Sequence, residues 1–541
     1  MHRCLRIPEV VREICGLLQR REALSMALTC RQFLEPGLDK VWAEVTAFNA
    51  LIACMPEGLW KVEEKALEGW INFEPTRIYS LSRALRSSDI ERYLKFYAHR
   101  IRMFRVISCS GLKWMALDAL QALQVTTNWE LGVLSPRLEK LVWEGPSSMD
   151  VIGEEWANHF SPCMSLFWGP DLRSPCLSLE EGRPPHATSI NQATILTTKL
   201  KRLDIMMHGG EQHLVDEYLS SFPWPDLQYI RTDTISPSTI HHLGNIPSLA
   251  TIELLDLKGN PPPLQYSATT CSAAIISGAR FSNLKKLELK SLDLLQITAF
   301  IQQIPPTSPV EVLAFSSIKF APPSEAQNAV ESIGLHANPG TLRSLLLRDG
   351  YDEFEDSGQP IKEPIELDPD ASTDITSLLA FKHLTSVQVL FKETILVTPE
   401  LIARIPMAWP SLTMLELCPQ VPSTRTALID HTHLLDLLRG CKSLLYLGLR
   451  FDATKIKGSE QDRGAPFPLR GLRVGDSPIL SPWRVLDFLE RNMPSLAAPA
   501  RYIAERGVGS LYEQRWKKVV ESRVEDWGDD DAPWSYSLRS E

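Results

Sequence analysis

The chain has 541 residues, enough for several ordinary domains or one long repeat array, and its 44% hydrophobic composition is that of a globular protein with ample core. Lysine and arginine total 56 against 66 acidic residues, and the resulting net charge of −10 disfavours general affinity for nucleic acid or for an anionic membrane. The ten cysteines are scattered singly from Cys4 to Cys441; with no Cys-x-x-Cys pair, no Asn-x-Ser/Thr sequon, no run of membrane-spanning length, and Glu9 and Glu13 interrupting any leader-like segment, they read as reduced thiols of a cytosolic or nuclear protein.

The first element is Ile7-Pro8-Glu9-Val10-Val11-Arg12-Glu13-Ile14-Cys15-Gly16-Leu17-Leu18. Its apolar residues follow helical spacing, and Pro8 suits a first helical turn. A second short apolar run, Ala23 to Leu28, leads to Thr29-Cys30-Arg31-Gln32-Phe33, Pro36, Leu38 and Val41-Trp42. Helices this small bury too little surface to stand alone, so the segment needs a partner or a neighbour.

The order Ile-Pro-Glu-Val-Val-x-x-Ile, two leucines, Leu-x-x-Ala-Leu-Thr-Cys-Arg-x-Phe, Pro and a closing Leu-x-x-Val-Trp resembles an F-box, as found in large sets of fungal proteins, with Ile7-Pro8 in place of the usual Leu-Pro. The resemblance covers residues 1–45. It implies docking on a Skp-type adaptor and, through it, on a cullin-based ubiquitin ligase, with Ile7, Pro8, Val11, Ile14, Leu17, Leu18 and Leu24 as adaptor-binding residues. The plainer alternative for the segment is a helical cap over the open end of a larger fold.

Residues 46–100 read as a helical linker, with Ser88 as N-cap of a helix whose face is Ile90, Leu94, Tyr97 and Ile101. Over 101–510 an apolar-x-x-apolar-x-apolar hexamer recurs, opening at Ile101, Leu138, Leu172, Leu200, Leu227, Leu249, Leu284, Val310, Leu342, Leu384, Leu412, Leu444 and Leu469. It is the mark of a leucine-rich repeat, spaced irregularly by roughly 22 to 42 residues. Pro175 and Thr232 occupy apolar slots in the two poorest copies. Between hexamers lie helices at 213–222 and 294–304, one opened by Thr398-Pro399 and closed by Pro406 and Pro410, one ended by Gly440 as C-cap, and one opened by Ser481-Pro482. The expected fold is α/β: a small helical F-box followed by an irregular leucine-rich-repeat solenoid, its curved parallel sheet inside and its helices on the convex side. The acidic, proline-bearing stretch 349–374 reads as a solvated loop, and 511–541 as a terminal cap and acidic tail, with 501–504 and 516–520 as closing strands.

No chemistry emerges from motif spacing. His431 with His433 and the pair His241-His242 lack further ligands, Gly507-Val508-Gly509-Ser510 lacks a third glycine, and His-Glu-x-x-His, Gly-x-Ser-x-Gly and the P-loop are absent from the sequence. The expectation is a non-catalytic protein without cofactor. Strand alternation instead places Arg105, Lys140, Arg202, Arg231, Lys286, Lys290, Arg348, Arg450 and Arg473, with Tyr229 and Tyr446, on the sheet's open face against Asp204, Asp233, Glu144, Glu253, Glu288 and Glu416. That excess of cations suits an acidic or phosphorylated target protein; the plainer reading is that these charges keep an open sheet soluble. Together the features resemble a ligase substrate receptor. A repeat scaffold that works without a ligase is the alternative.

Overall fold

The computed structural model describes residues 7–65, 76–106, 113–143, 161–180, 199–208, 212–220, 224–233, 235–257, 281–350, 372–391, 395–418, 425–460, 464–496, 498–499 and 511–521. The chain divides into two compact units, Met1–Leu249 and Ala250–Glu541.

The first unit opens with α1 (Pro8–Leu17), α2 (Arg20–Ala27) and α3 (Arg31–Ala43). Pro8 sits in the first turn of α1, where a missing N–H costs no hydrogen bond. At α2 the Gln19 N–H donates to the Glu22 carboxylate at 2.9 Å, one half of a capping box. The unit continues with β1 (Glu44–Thr46), α4 (Asn49–Cys54), β2 (Trp60–Lys65), β3 (Thr76–Leu81), α5 (Ser87–Phe96), β4 (Met103–Val106), β5 (Lys113–Met115), α6 (Leu117–Thr126), β6 (Lys140–Trp143), β7 (Ser174–Glu180), β8 (Arg202–His208), α7 (Gln212–Ser220), β9 (Tyr229–Thr232) and α8 (Pro237–Gly244). Strands β1, β4, β6, β7, β8 and β9 neighbour one another in that order, and every pair between them is parallel.

Residues 46–100 are not the expected helical linker. Strands β2 and β3 pair antiparallel, and β5 joins β3 in parallel to make a separate three-stranded sheet. Helix α5 starts one residue before Ser88; its N-cap is Arg86, and Asp89 reaches back to it from the first turn. The Arg86 N–H donates to that carboxylate at 2.9 Å, while Arg83 grips both oxygens at 2.7 and 2.8 Å. The Arg83 guanidinium, helped by the Arg86 N–H, holds the Asp89 carboxyl down at about 2. A carboxylate depressed on folding stabilises above its unfolded pKa, and that stabilisation fades as pH falls through the folded one. The protein is therefore expected to lose stability between about pH 4 and pH 2 more steeply than Asp89→Asn, as thermal melts across that range would show.

The second unit carries β10 (Thr251–Leu257), β11 (Lys286–Ser291), α9 (Leu294–Ile301), β12 (Val312–Ser317), α10 (Pro323–His336), β13 (Ser344–Arg348), β14 (Ser386–Leu390), α11 (Pro399–Ala408), β15 (Met414–Glu416), α12 (His431–Gly440), β16 (Tyr446–Gly448), β17 (Gly471–Arg473), α13 (Pro482–Asn492), β18 (Ala498–Pro499) and α14 (Leu511–Glu521). The strands again run parallel, each beside its successor. The fourth residue of each hexamer stands in register with the next, in the series Ile252, Leu287, Leu313, Leu345, Val387, Leu415, Leu447 and Leu472. All are buried, as is every residue that opens a hexamer in either unit. Each buried leucine contributes about 1.5–3 kcal/mol, but only when a neighbouring repeat covers it. This is a leucine-rich-repeat fold.

Helix starts follow the expected chemistry. The side chain of Thr398 accepts the Leu401 N–H at 3.2 Å, and Asp293 accepts that of Gln296 at 3.1 Å. Helix ends depart from it. Pro406 lies inside the last turn of α11, and Gly440 is still helical. Gly440 is needed for space: a Cβ there would fall 2.4 Å from Cγ of Pro406 on the neighbouring helix. Gly440→Ala is expected to destabilise by about 1–3 kcal/mol through this overlap, measurable by denaturant unfolding. Residues 516–520, expected as a closing strand, belong to α14; Trp516 and Val519, three apart, form the buried stripe of a helix. The Trp516 indole donates to the Ser477 carbonyl at 2.8 Å. The segments 501–504 and Gly507–Ser510 lie outside the described residues, as do 351–371 of the acidic stretch. Asp349 at its start is no solvated residue, being fully buried with its carboxylate accepting the Ala321 N–H at 3.0 Å.

Candidate interaction surfaces

The first candidate surface is on α1 and α2. Ala23 and Ala27, four apart on α2, are buried, while Leu24 and Leu28 stand outside at 44% and 77% exposure. On α1, Val11 and Cys15 are buried, Ile14 and Leu18 are half-buried, and Ile7, Pro8 and Leu17 are exposed, Leu17 at 89%. Small side chains face in and large apolar ones face out, the reverse of an ordinary surface helix. Val11, expected among the partner-facing residues, is instead core, because its i, i+4 spacing to Cys15 puts it on the inward stripe. Leu28 and Leu34 are exposed too and were not expected; the Ala23–Ala27 stripe was the signal that α2 turns its leucines outward.

These helices are held firmly to the first strands. Helix α3 passes into β1 without a loop. The Trp42 ring stacks on Tyr97 at 4.2 Å, and the buried Arg100 guanidinium pairs with both Glu35 and Asp39 of α3. Nothing in this attachment covers Leu17, Leu24 or Leu28.

The second candidate surface is the open sheet face, where charge pairing separates the expected cations into two groups. In the second unit Lys286 donates to Glu253 at 2.7 Å and lies 3.2 Å from Glu288. Burial pulls the Lys286 ammonium pKa down, but the Glu253 hydrogen bond and the charge of Glu288 outweigh it and hold the value above the ordinary lysine range. Arg450 reaches Asp476 at 2.8 Å and also the Arg425 carbonyl, and Arg473 pairs with the buried Glu416. Gly448 makes that last pair possible. It stands on β16 in register between Glu416 and Arg473, and a Cβ there would come within 2.5 Å of the Glu416 Cγ. These cations are therefore committed to the fold and do not make the free basic face the sequence suggested. Lys290, Arg348 and Tyr446 are half-buried on β11, β13 and β16 of the same sheet.

In the first unit Arg202 lies over the Tyr229 ring at 3.7 Å and bonds Asp204 at 2.9 Å. Arg105, Lys140 and Arg231 stand on the same face with Asp233, and Glu144 lies outside the described residues.

Elsewhere His433 accompanies the helix-capping Asp430 at 2.8 Å, and His431 faces Glu460 at 3.8 Å. Among the described residues no three His, Cys, Asp or Glu side chains gather as a metal would require, and no helix is long and apolar enough to cross a membrane. Burial pushes the Cys163 and Cys441 thiols up, to about 12 and about 11. Thiols so placed stay protonated near neutrality and are poor nucleophiles.

No family model and no curated protein matches the sequence. Among solved structures the chain is similar to one from the Rad7–Elc1 complex of yeast, at 13% identity and a TM-score of 0.34 over 81% of this chain and 86% of that one. It is also similar to the leucine-rich-repeat-containing protein LegL7 of Legionella pneumophila, at 12% identity and a TM-score of 0.29 over 68% of this chain and 97% of that one.

Proposed function

We propose that the chain is the substrate-recognition subunit of a Skp–cullin–F-box ubiquitin ligase, with α1 and α2 docking on a Skp-type adaptor and the repeat sheet taking up a target protein. The observation that carries this reading is the set of large apolar residues left open on the N-terminal helices, Leu17, Leu24 and Leu28 above all, within a segment whose residue order resembles an F-box. Exposed leucines lose favourable burial while alanines occupy the core beneath them, an arrangement that fits a surface completed by a second protein. In this reading the chain performs no covalent step. It holds a target where another subunit's chemistry reaches it, so that positioning is its whole contribution, and its place of work is the cytosol or nucleus.

Co-purification of the full chain with a Skp-type adaptor tests the reading. Capture of the adaptor supports it; absence of capture, where an established F-box protein binds under the same conditions, removes the ligase and leaves the repeat scaffold.

A further inference from the structure

The cations on the sheet faces are satisfied in different ways. In the second unit Lys286 pairs with Glu253 of β10, Arg473 with Glu416 of β15, and Arg450 with Asp476 in the turn after β17. On the face of the first unit Arg202 pairs with Asp204. Arg105 stands between Thr46 and Val142 in the sheet register, and Lys140 stands between Met103 and Ser174, so neither has a charged side chain directly opposite. Arg231 is opposite Asp204, whose Oδ2 accepts from Arg202, and no ion pair between Asp204 and Arg231 forms. Glu44 at the sheet edge, beside Met103, pairs with neither Arg105 nor Lys140. Among the described residues Arg105, Lys140 and Arg231 thus form no ion pair, and the Nε atoms of Arg105 and Arg231 are shut off from water without a hydrogen-bond acceptor.

We infer that the face of β4, β6, β7, β8 and β9 binds an extended acidic peptide segment of the target protein. The inference rests on the reading of the sheet as the target-binding surface and narrows it to one unit and one chemistry. Lys140 is on the strand next to Arg105, one diagonal away, so the two like charges make a cradle for one anionic end. Four inter-strand steps of about 4.8 Å put Arg231 about 19 Å from Arg105, with the Arg202–Tyr229 stack near the Arg231 end. An extended chain advances about 3.3 Å per residue, so carboxylates about six residues apart meet both ends together. A guanidinium binds a carboxylate through paired N–H donors, so each end of the face can hold one acidic side chain.

The probe is a fluorescein-labelled Gly/Ser peptide bearing two Glu-Glu pairs about six residues apart, titrated by fluorescence anisotropy into the full chain. Saturable binding is expected that weakens with salt and falls at least about tenfold in Arg105→Gln/Lys140→Gln/Arg231→Gln, whereas Lys286→Gln binds as the parent does. If the triple variant does not fold, Lys140→Gln alone is expected to lose about threefold. The inference is overturned by absence of binding, by equal affinity in the variants, or by an oligothymidylate of equal charge binding as tightly, which would mark a general polyanion surface. Adaptor capture by the same preparations separates the two readings: capture without peptide binding sinks only this inference, and peptide binding without capture sinks only the ligase.

Discussion

Leu17→Asp and Leu28→Asp are each expected to abolish co-purification of a Skp-type adaptor with the full chain while leaving its thermal transition unchanged. Both side chains lie mostly in solvent, so a carboxylate in their place costs the free protein about 0.5 kcal/mol or less. At a contact it is far more damaging, because the carboxylate must be desolvated against apolar surface, and losses of about 2–4 kcal/mol are usual for a central contact residue. Val11→Asp is the contrasting control. Val11 is fully buried, and a charge there unfolds the helices, so loss of binding in that variant accompanies loss of structure. Adaptor binding that survives both leucine variants would show that these helices do no more than close the end of the repeat stack.

Arg473→Met is expected to destabilise the second unit by about 3–5 kcal/mol, because it strands the Glu416 carboxylate at 2% exposure without its partner. The matching double variant, Arg473→Met with Glu416→Met, removes the stranded charge and is expected to recover most of the loss, since an apolar pair of similar volume often equals or exceeds a buried ion pair. Denaturant midpoints of the parent, the two single variants and the double variant measure the coupling directly. If Arg473→Met left the midpoint unmoved, the pair would not be holding β15 and β17 together across Gly448. The outcome bears on function too, since an arginine consumed in this way is not available to a target.

The repeats were legible because burial in them is local: three apolar side chains within six residues fix a strand, and the next hexamer supplies its cover. Even the poorest copies obey this, with Thr232 and Pro175 both buried in the slots the pattern assigns them. What was not legible depends on neighbours distant in sequence. Strand β1 has only Val45 facing inward and is a strand because β4 lies beside it. The three-stranded sheet joins segments that carry no hexamer, and Gly440 resembles a helix stop until Pro406 is seen against it. The charge count on the sheet face failed for the same reason. Which cation meets which carboxylate depends on side chains crossing between strands, as Glu416 does over Gly448, and composition cannot show that. On α1 and α2 the sequence found the apolar residues but not their direction, which the inward alanines decide.

The join between α3 and β1 leaves no hinge. A protein gripping α1 and α2 inherits the bearing of the first strand, since Arg100 bolts α3 down through Glu35 and Asp39 and the Trp42–Tyr97 stack blocks rotation about the join. Whatever lies along β4 to β9 is thus presented to that protein at a set angle and reach, as a fixed bracket presents its load, and a longer or softer connection at Ala43 would trade that aim for slack.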